Sequence, residues 1–323
     1  PNWYHGIEYQ KEQELGYEYK EDLYVPGYFE FNIKKGESVV FAAGVSELKS
    51  NQLKKIFDYE YDVHVPRTNF QSCLVNAAHQ FHYEKDGENY IIAGYPWFKC
   101  RARDMFVSLP GLTLAIDETE YYEKAMKTAE KAISDFMEGK KSDIMMYEID
   151  KPDVFLWAVW CIQQYSRLIG ADAAIKKYGK LVNKIVDFIL QGKHKNLKVH
   201  ENGLLYINGR KCAMTWMNSE INGFPVVPRS GYVVEINALW YNALMIIYDL
   251  SVKFKDENIW YKEMADKVKL SFNEKFYSEE TKCLYDTVDP YDKSIRPNQI
   301  WVLSLPFKVL DKDKIKNVFI FYC

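Results

Sequence analysis

Long apolar runs, closely spaced cysteine pairs, phosphate-cradling glycine loops and a surplus of either charge are all missing from this 323-residue chain. Without an apolar run of membrane length there is no candidate spanning helix. No secretory leader pattern is visible; the chain opens on "PNWYHG" without Met, so its start carries little weight on that point. A formal net charge of −3 removes any strong pull toward nucleic acid or an anionic membrane surface. The short basic stretches "KKGE" and "GKHKNLK" read as solvated loops. No dinucleotide fingerprint, phosphate loop or metal-ligand spacing calls for a cofactor. The six cysteines, at positions 73, 100, 161, 212, 283 and 323, include no C-x-x-C pair. Several lie in apolar patterns, as Cys161 does after "FLWAVW", so they read as reduced, mostly buried thiols of a cytoplasmic protein.

What the chain has in quantity is aromatic surface. Aromatic residues are 16% of it, with 25 Tyr and 8 Trp, inside a hydrophobic content of 48% that suffices for a substantial core. Such rings serve packing. They also serve sugar sites, where ring faces cover pyranose C–H surfaces and polar edges bond hydroxyls.

The pattern changes along the chain. Residues 1–45 read as β: Phe29, Phe31 and Ile33 alternate with polar residues, "KKGES" makes a turn and "VVFAAG" follows as a second short apolar run. This hairpin is expected to close a β-domain over residues 1–48, with a linker at 49–64 and a helical domain from 65 to 323. Helical spacing predicts helices at 69–82, 104–116, 118–138, 153–169, 171–191, 233–254, 258–275 and 297–304. Val154, Trp157, Ala158, Cys161, Tyr165 and Leu168 form one core stripe; Leu239, Ala243, Leu244, Ile247 and Leu250 form another. Asp256 reads as an N-cap for the helix opening at "ENIW". The irregular segment 196–231 is too long for an idle connection in a helical domain. Helices joined by alternating short and long connections suggest hairpins in a ring, although periodicity alone fits a bundle equally well.

Four stretches mix polar and aromatic groups in ways a core does not need. In "AGYPWFKCRARDMFVSLPG", Asp104 can cap a helix starting near Met105 and Arg103 can pair with a distant acid; equally, Arg103 and Asp104 can bind neighbouring hydroxyls of one sugar with Trp97 on its face. In "CAMTWMNSEINGFPVVPR", Trp216 stands beside Asn218, Ser219 and Glu220. In "SGYVVEINALWYNAL", Glu235 sits near a helix start, where the dipole favours an acid. In "SIRPNQIW", Arg296, Asn298 and Gln299 flank an otherwise apolar helix.

Taken in order, "GYPWF…RD…SLPGL", "TWM", "PVVPR", "VEINALWYNAL" and "RPNQ" resemble the amylo-α-1,6-glucosidase family, the glucosidase part of bacterial and archaeal glycogen debranching enzymes, from about residue 20 to 308. The segment "LYVPGYFEFNIKKGESVVFAA" resembles the end of the β-domain that precedes the catalytic domain in that family. The resemblance implies a mainly α fold, an (α/α)6 toroid, and inverting hydrolysis of α-1,6-linked glucosyl stubs in an α-glucan. Inversion uses two carboxyl groups about 6.5–9.5 Å apart, one acid and one base. Arg103 and Asp104 match the family's Arg-Asp pair, expected to grip the glucose that is cleaved, and Trp97 matches its aromatic neighbour. Trp216, Asn218, Trp240, Arg296 and Asn298 complete the expected substrate-binding set.

Two departures stand out. Where many members carry the acid Asp after "TWM", this chain has Asn218, whose amide cannot donate a proton in this chemistry. Glu235 is then the favoured site carboxylate and Glu220 the substitute acid. The family's base lies in a later "PE" segment, expected beyond Cys323, and eight helix candidates fall short of six hairpins, so the ring is expected to be incomplete and its exposed faces to self-associate. Two other readings follow: a glucan-binding or inactive remnant, and a glucoamylase-like α-1,4-glucosidase.

Overall fold

The structure, a computed structural model, describes residues 1–95, 98–253 and 259–320. The chain divides into two compact units, Pro1–Val65 and Pro66–Cys323.

In the first unit, β1 (Asn2–Glu8) pairs antiparallel with β2 (Lys20–Val25), with a short helix α1 (Gln10–Glu14) between them. The segment expected to be a hairpin behaves differently. Lys34 to Glu37 do turn, with the Glu37 amide on the Lys34 carbonyl at 3.0 Å, but residues 29–41 form no strand. Phe29, Phe31 and Phe41 contact one another instead, at centroid separations of 5.0 to 6.2 Å. Period-two alternation brought the rings to one side without a ladder. The segment read as a linker is also structured: helix α2 spans Leu53–Val63.

The second unit is mostly helical. Helix α3 (Phe70–His79) opens on a reciprocal capping box, with Asn69 Oδ1 accepting from the Ser72 amide at 2.9 Å and Ser72 Oγ accepting from the Asn69 amide at 3.1 Å. A hairpin of β3 (His82–Lys85) and β4 (Glu88–Ile91) leads to α4 (Ala102–Leu112) and α5 (Thr119–Met137). Then α6 (Val154–Ile169) and α7 (Ala171–Leu190) form a helical pair joined by Gly170 alone, at φ 124°. The expected stripe on α6 is buried from Val154 to Tyr165, but Leu168 is 62% exposed, because the last turn runs past the core. Farther on, α8 (Val234–Lys253) packs against α6, α7 and α9 (Ile259–Lys275), and the unit continues into α10 (Asn298–Ser304) and α11 (Lys312–Ile320). The position read as an N-cap, Asp256, lies outside the described residues.

The irregular stretch after α7 carries small strands that position the site. β5 (Lys198–Val199), β6 (Leu205–Ile207), β9 (Gly231–Val233) and β10 (Thr287–Val288) form an antiparallel sheet in the order β10-β9-β6-β5, while β7 (Glu220–Ile221) and β8 (Phe224–Pro225) make a separate hairpin. At Gly231, φ is 96° and a Cβ would sit 2.3 Å from the Val288 carbonyl oxygen, so only glycine lets β9 approach β10 this closely. β9 runs straight into α8, which fixes where the first turn of that helix starts.

Candidate active site

A cleft of about 600 Å³ opens in the helical unit. α4 contributes Arg103, Asp104, Val107, Ser108 and Leu112 to one wall; Trp157 comes from α6, Asn298 and Trp301 from α10, and Trp216 from the irregular segment. Residues 81, 92 and 93, beside the β3–β4 hairpin, line it as well.

The α4 wall is built around a buried ion pair. Arg103 donates from Nε and Nη2 to the two carboxylate oxygens of Asp153, at 2.6 and 2.8 Å. Asp153 occupies the N-cap position of α6, yet its side chain makes no capping bond; it turns to Arg103 and also accepts from Trp157 Nε1 at 3.2 Å. Burial works against the Arg103 charge, and Asp153 outweighs it, leaving the guanidinium pKa above its ordinary value. Asp104, in the first turn of α4, does not cap the helix; the N-cap is Arg101. Asp104 is exposed by surface area, but the walls crowd it closely enough that burial raises its pKa, opposed by Arg103 and Arg101. The indoles of Trp157 and Trp301 meet edge-to-face at 4.8 Å, giving that side of the cleft a rigid aromatic lining.

Behind the other wall lies a denser cluster. Arg229 donates to Asp286 at 2.8 and 2.9 Å and to both oxygens of Glu235, from Nη2 at 2.7 Å. All three are buried. Burial alone would lower the Arg229 pKa; Glu235 and Asp286 reverse this and raise it. Arg296 reaches Asp286 at 2.8 Å and Asp292 at 2.6 Å. Asn298 donates to Asp286 at 2.6 Å and accepts from Trp216 Nε1 at 2.8 Å, which ties the cluster to the cleft.

Of the residues singled out in the sequence, Arg103, Asp104, Trp216 and Asn298 thus share one cleft. Others stand elsewhere. Trp240 is fully buried in α8 and donates to the Gly203 carbonyl at 3.1 Å, which makes it a core residue and not a sugar platform. Glu235, expected as the favoured site carboxylate, does not line the cleft and is held by Arg229 on the buried side. Arg296 acts on Asp286 behind the wall. Asn218 and Glu220 are exposed and do not line the cleft; Glu220 Oε1 accepts from the Ala213 amide at 3.2 Å. Trp97 lies outside the described residues, as does Cys323. Asp104 is the one carboxylate lining the cleft among the described residues.

Asp153, Asp286 and Trp301 were not singled out, and Trp157 was placed in the core stripe. Asp153 and Trp157 sit four residues apart at the start of α6, a spacing that puts them on one face, and that is the available signal. Among the described residues no group of His, Cys, Asp and Glu is arranged to hold a metal ion, and no helix is long and apolar enough to cross a membrane. The five described cysteines are free thiols.

Comparison with known proteins bears on this arrangement. The family described as amylo-alpha-1,6-glucosidase matches residues 70–321, and that described as glycogen debranching enzyme N terminal matches residues 1–40. No curated protein sequence matches the chain. Among solved structures, a GH78 family rhamnosidase of Bacillus sp. GL1 is similar over 53% of this chain and 17% of its own, at 15% identity and a TM-score of 0.41.

Proposed function

Because the chain belongs to the amylo-α-1,6-glucosidase family, we propose that its cleft receives the terminal glucose of an α-1,6-linked stub on an α-glucan and that the reaction served is inverting hydrolysis. The observation that carries this reading is the convergence of Asp104, an Arg103 held rigid by Asp153, and the indoles of Trp157, Trp216 and Trp301 on one cleft. A carboxylate beside a fixed guanidinium suits adjacent sugar hydroxyls, and the indoles supply ring faces for the C–H surface. The fold that would complete such a cleft is the (α/α)6 toroid, of which α6/α7 and α8/α9 are hairpins in this proposal. On the hydrolytic reading, Glu220 is the proposed acid, since it is exposed on the hairpin that follows Trp216 and Asn218.

One observation favours a second reading, binding without turnover. Inversion needs two carboxyl groups, and among the described residues the cleft is lined by one. Self-association is a further proposal, suggested by exposed Leu168 and Leu270 on helical faces. Incubation with isomaltose and with maltose, followed by proton NMR of the released glucose, separates the readings. Release of β-glucose from isomaltose supports the inverting α-1,6 enzyme. Tight isomaltose binding without release supports the binding protein. Preferential release from maltose supports the α-1,4-glucosidase, and absence of binding to either sugar rejects all three.

A further inference from the structure

Trp216 differs from the other indoles in what holds it. Trp157 is packed at 4% exposure, whereas Trp216 is 45% exposed and lies outside any helix or strand. Its ring is tied down by one hydrogen bond, from Nε1 to Asn298 Oδ1 at 2.8 Å. Asn298, 1% exposed, opens α10 and passes its other amide atom, Nδ2, to Asp286 at 2.6 Å. Asp286 is in turn fixed by Arg229 and Arg296. An indole N–H can only donate and a carboxylate can only accept, so the amide has a single orientation that satisfies both. No other side chain of this size does so. A carboxylate at 298 would face Asp286 across the same short gap, and leucine would leave the Trp216 N–H unpaired and take one donor from Asp286.

We propose that Asn298 is a positioning residue that sets the ring plane of Trp216, and through that ring the affinity for a terminal sugar. The inference rests on the reading of the cleft as a sugar site. The buried cluster of Arg229, Glu235, Asp286 and Arg296 is then the rigid base from which an exposed ring is aimed, and the carboxylate of Glu235 serves the site by holding Arg229.

The test compares the unaltered chain with Asn298→Asp, Asn298→Leu and Trp216→Phe. Isomaltose is titrated into each, and the near-UV circular dichroism band of Trp216 is defined by subtracting the spectrum of Trp216→Phe. Both single changes at 298 are expected to erase that band and to weaken isomaltose binding about tenfold, the scale of a lost aromatic contact. Trp216→Phe removes the same N–H from the ring side and leaves Asn298 on Asp286, so its affinity is expected to fall by a similar factor. Retention of the band in the single variants, or weaker binding with the band unchanged, overturns the proposal. If the variants at 298 do not fold, Trp216→Phe decides: weaker isomaltose binding supports the proposal and unchanged affinity rejects it. An unaltered chain that does not bind isomaltose rejects the sugar reading, while the band still decides whether Asn298 aims the ring.

Discussion

Asp153 holds two cleft residues at once: Arg103 through a pair of hydrogen bonds at 2.6 and 2.8 Å, and Trp157 through its indole N–H at 3.2 Å. The carboxylate is nearly inaccessible to water, so each of these bonds replaces solvation that Asp153 itself has lost.

Asp153→Ala leaves a buried guanidinium without its partner. The expected loss is about 3–5 kcal/mol of stability, typical of breaking a buried pair from one side. Urea denaturation followed by far-UV circular dichroism measures it. Asp153→Asn keeps the shape and an acceptor and is expected to lose less. Equal stability of the alanine variant and the unaltered chain would show that Arg103 is solvated by another route.

Asp104→Asn is expected to abolish isomaltose binding with the melting temperature essentially retained, because the carboxylate faces the cleft and caps nothing. The raised pKa adds a pH signature. A carboxyl group whose folded pKa is raised is charged only above that raised value. Sugar affinity should therefore fall, on acidification, at a higher pH than an ordinary aspartate would give. Binding that is flat down to pH 3.8, the reference value for the group, contradicts this.

His194 is buried among Phe136, Phe155 and Phe188, and its Nε2 has no hydrogen-bond partner. Burial pushes its pKa down from 6.5 to about 4. Because the folded pKa lies below the unfolded one, the contribution to stability is complete above pH 6.5 and is lost as pH falls from there toward 4. The span corresponds to about 3 kcal/mol. Denaturant unfolding at pH 7 and pH 4.5 should show the loss, and His194→Phe should reduce this pH dependence. An unchanged slope in that variant assigns the acid sensitivity to other groups.

Gly231→Ala places a methyl group against two backbone carbonyls, at 2.3 Å from Val288 and 2.4 Å from Asp289, in a conformation that side chains resist. Neither carbonyl can swing away as a flexible side chain would. A loss of about 1–3 kcal/mol or more is expected, read by thermal denaturation, with isomaltose affinity falling too because Asp286 adjoins the same strand.

The helices were legible because apolar residues repeat at helical spacing: 153–169 was expected and Val154–Ile169 is found, and 171–191 corresponds to Ala171–Leu190. The strands between α7 and α8 were not, because β6 and β9 are three residues long and too short to show a period. Residues 29–41 show the converse, a period without a ladder. In the site, the motifs pointed to Arg103, Asp104, Trp216 and Asn298. They could not supply the partners, since Arg103 bonds a residue 50 positions away and Arg229 one 57 positions away. The surroundings of Glu235 were out of reach for a related reason. Its place in the first turn of α8 was readable, but whether that turn faces solvent or an arginine is decided by β9 and β10, which sequence spacing does not reveal.

The single-residue joint at Gly170 carries a consequence for the order of assembly. Helices α6 and α7 meet through neighbours in sequence, so their closure costs little chain entropy and forms early. The cleft is different: the bond from Trp216 to Asn298 spans 82 positions and brings together parts of the chain on either side of α8 and α9. Helical signal should therefore return to a refolding sample before any capacity to hold sugar. Compactness and competence in this molecule are separate events in time, and the interval between them is when its apolar helix faces are open to wrong partners.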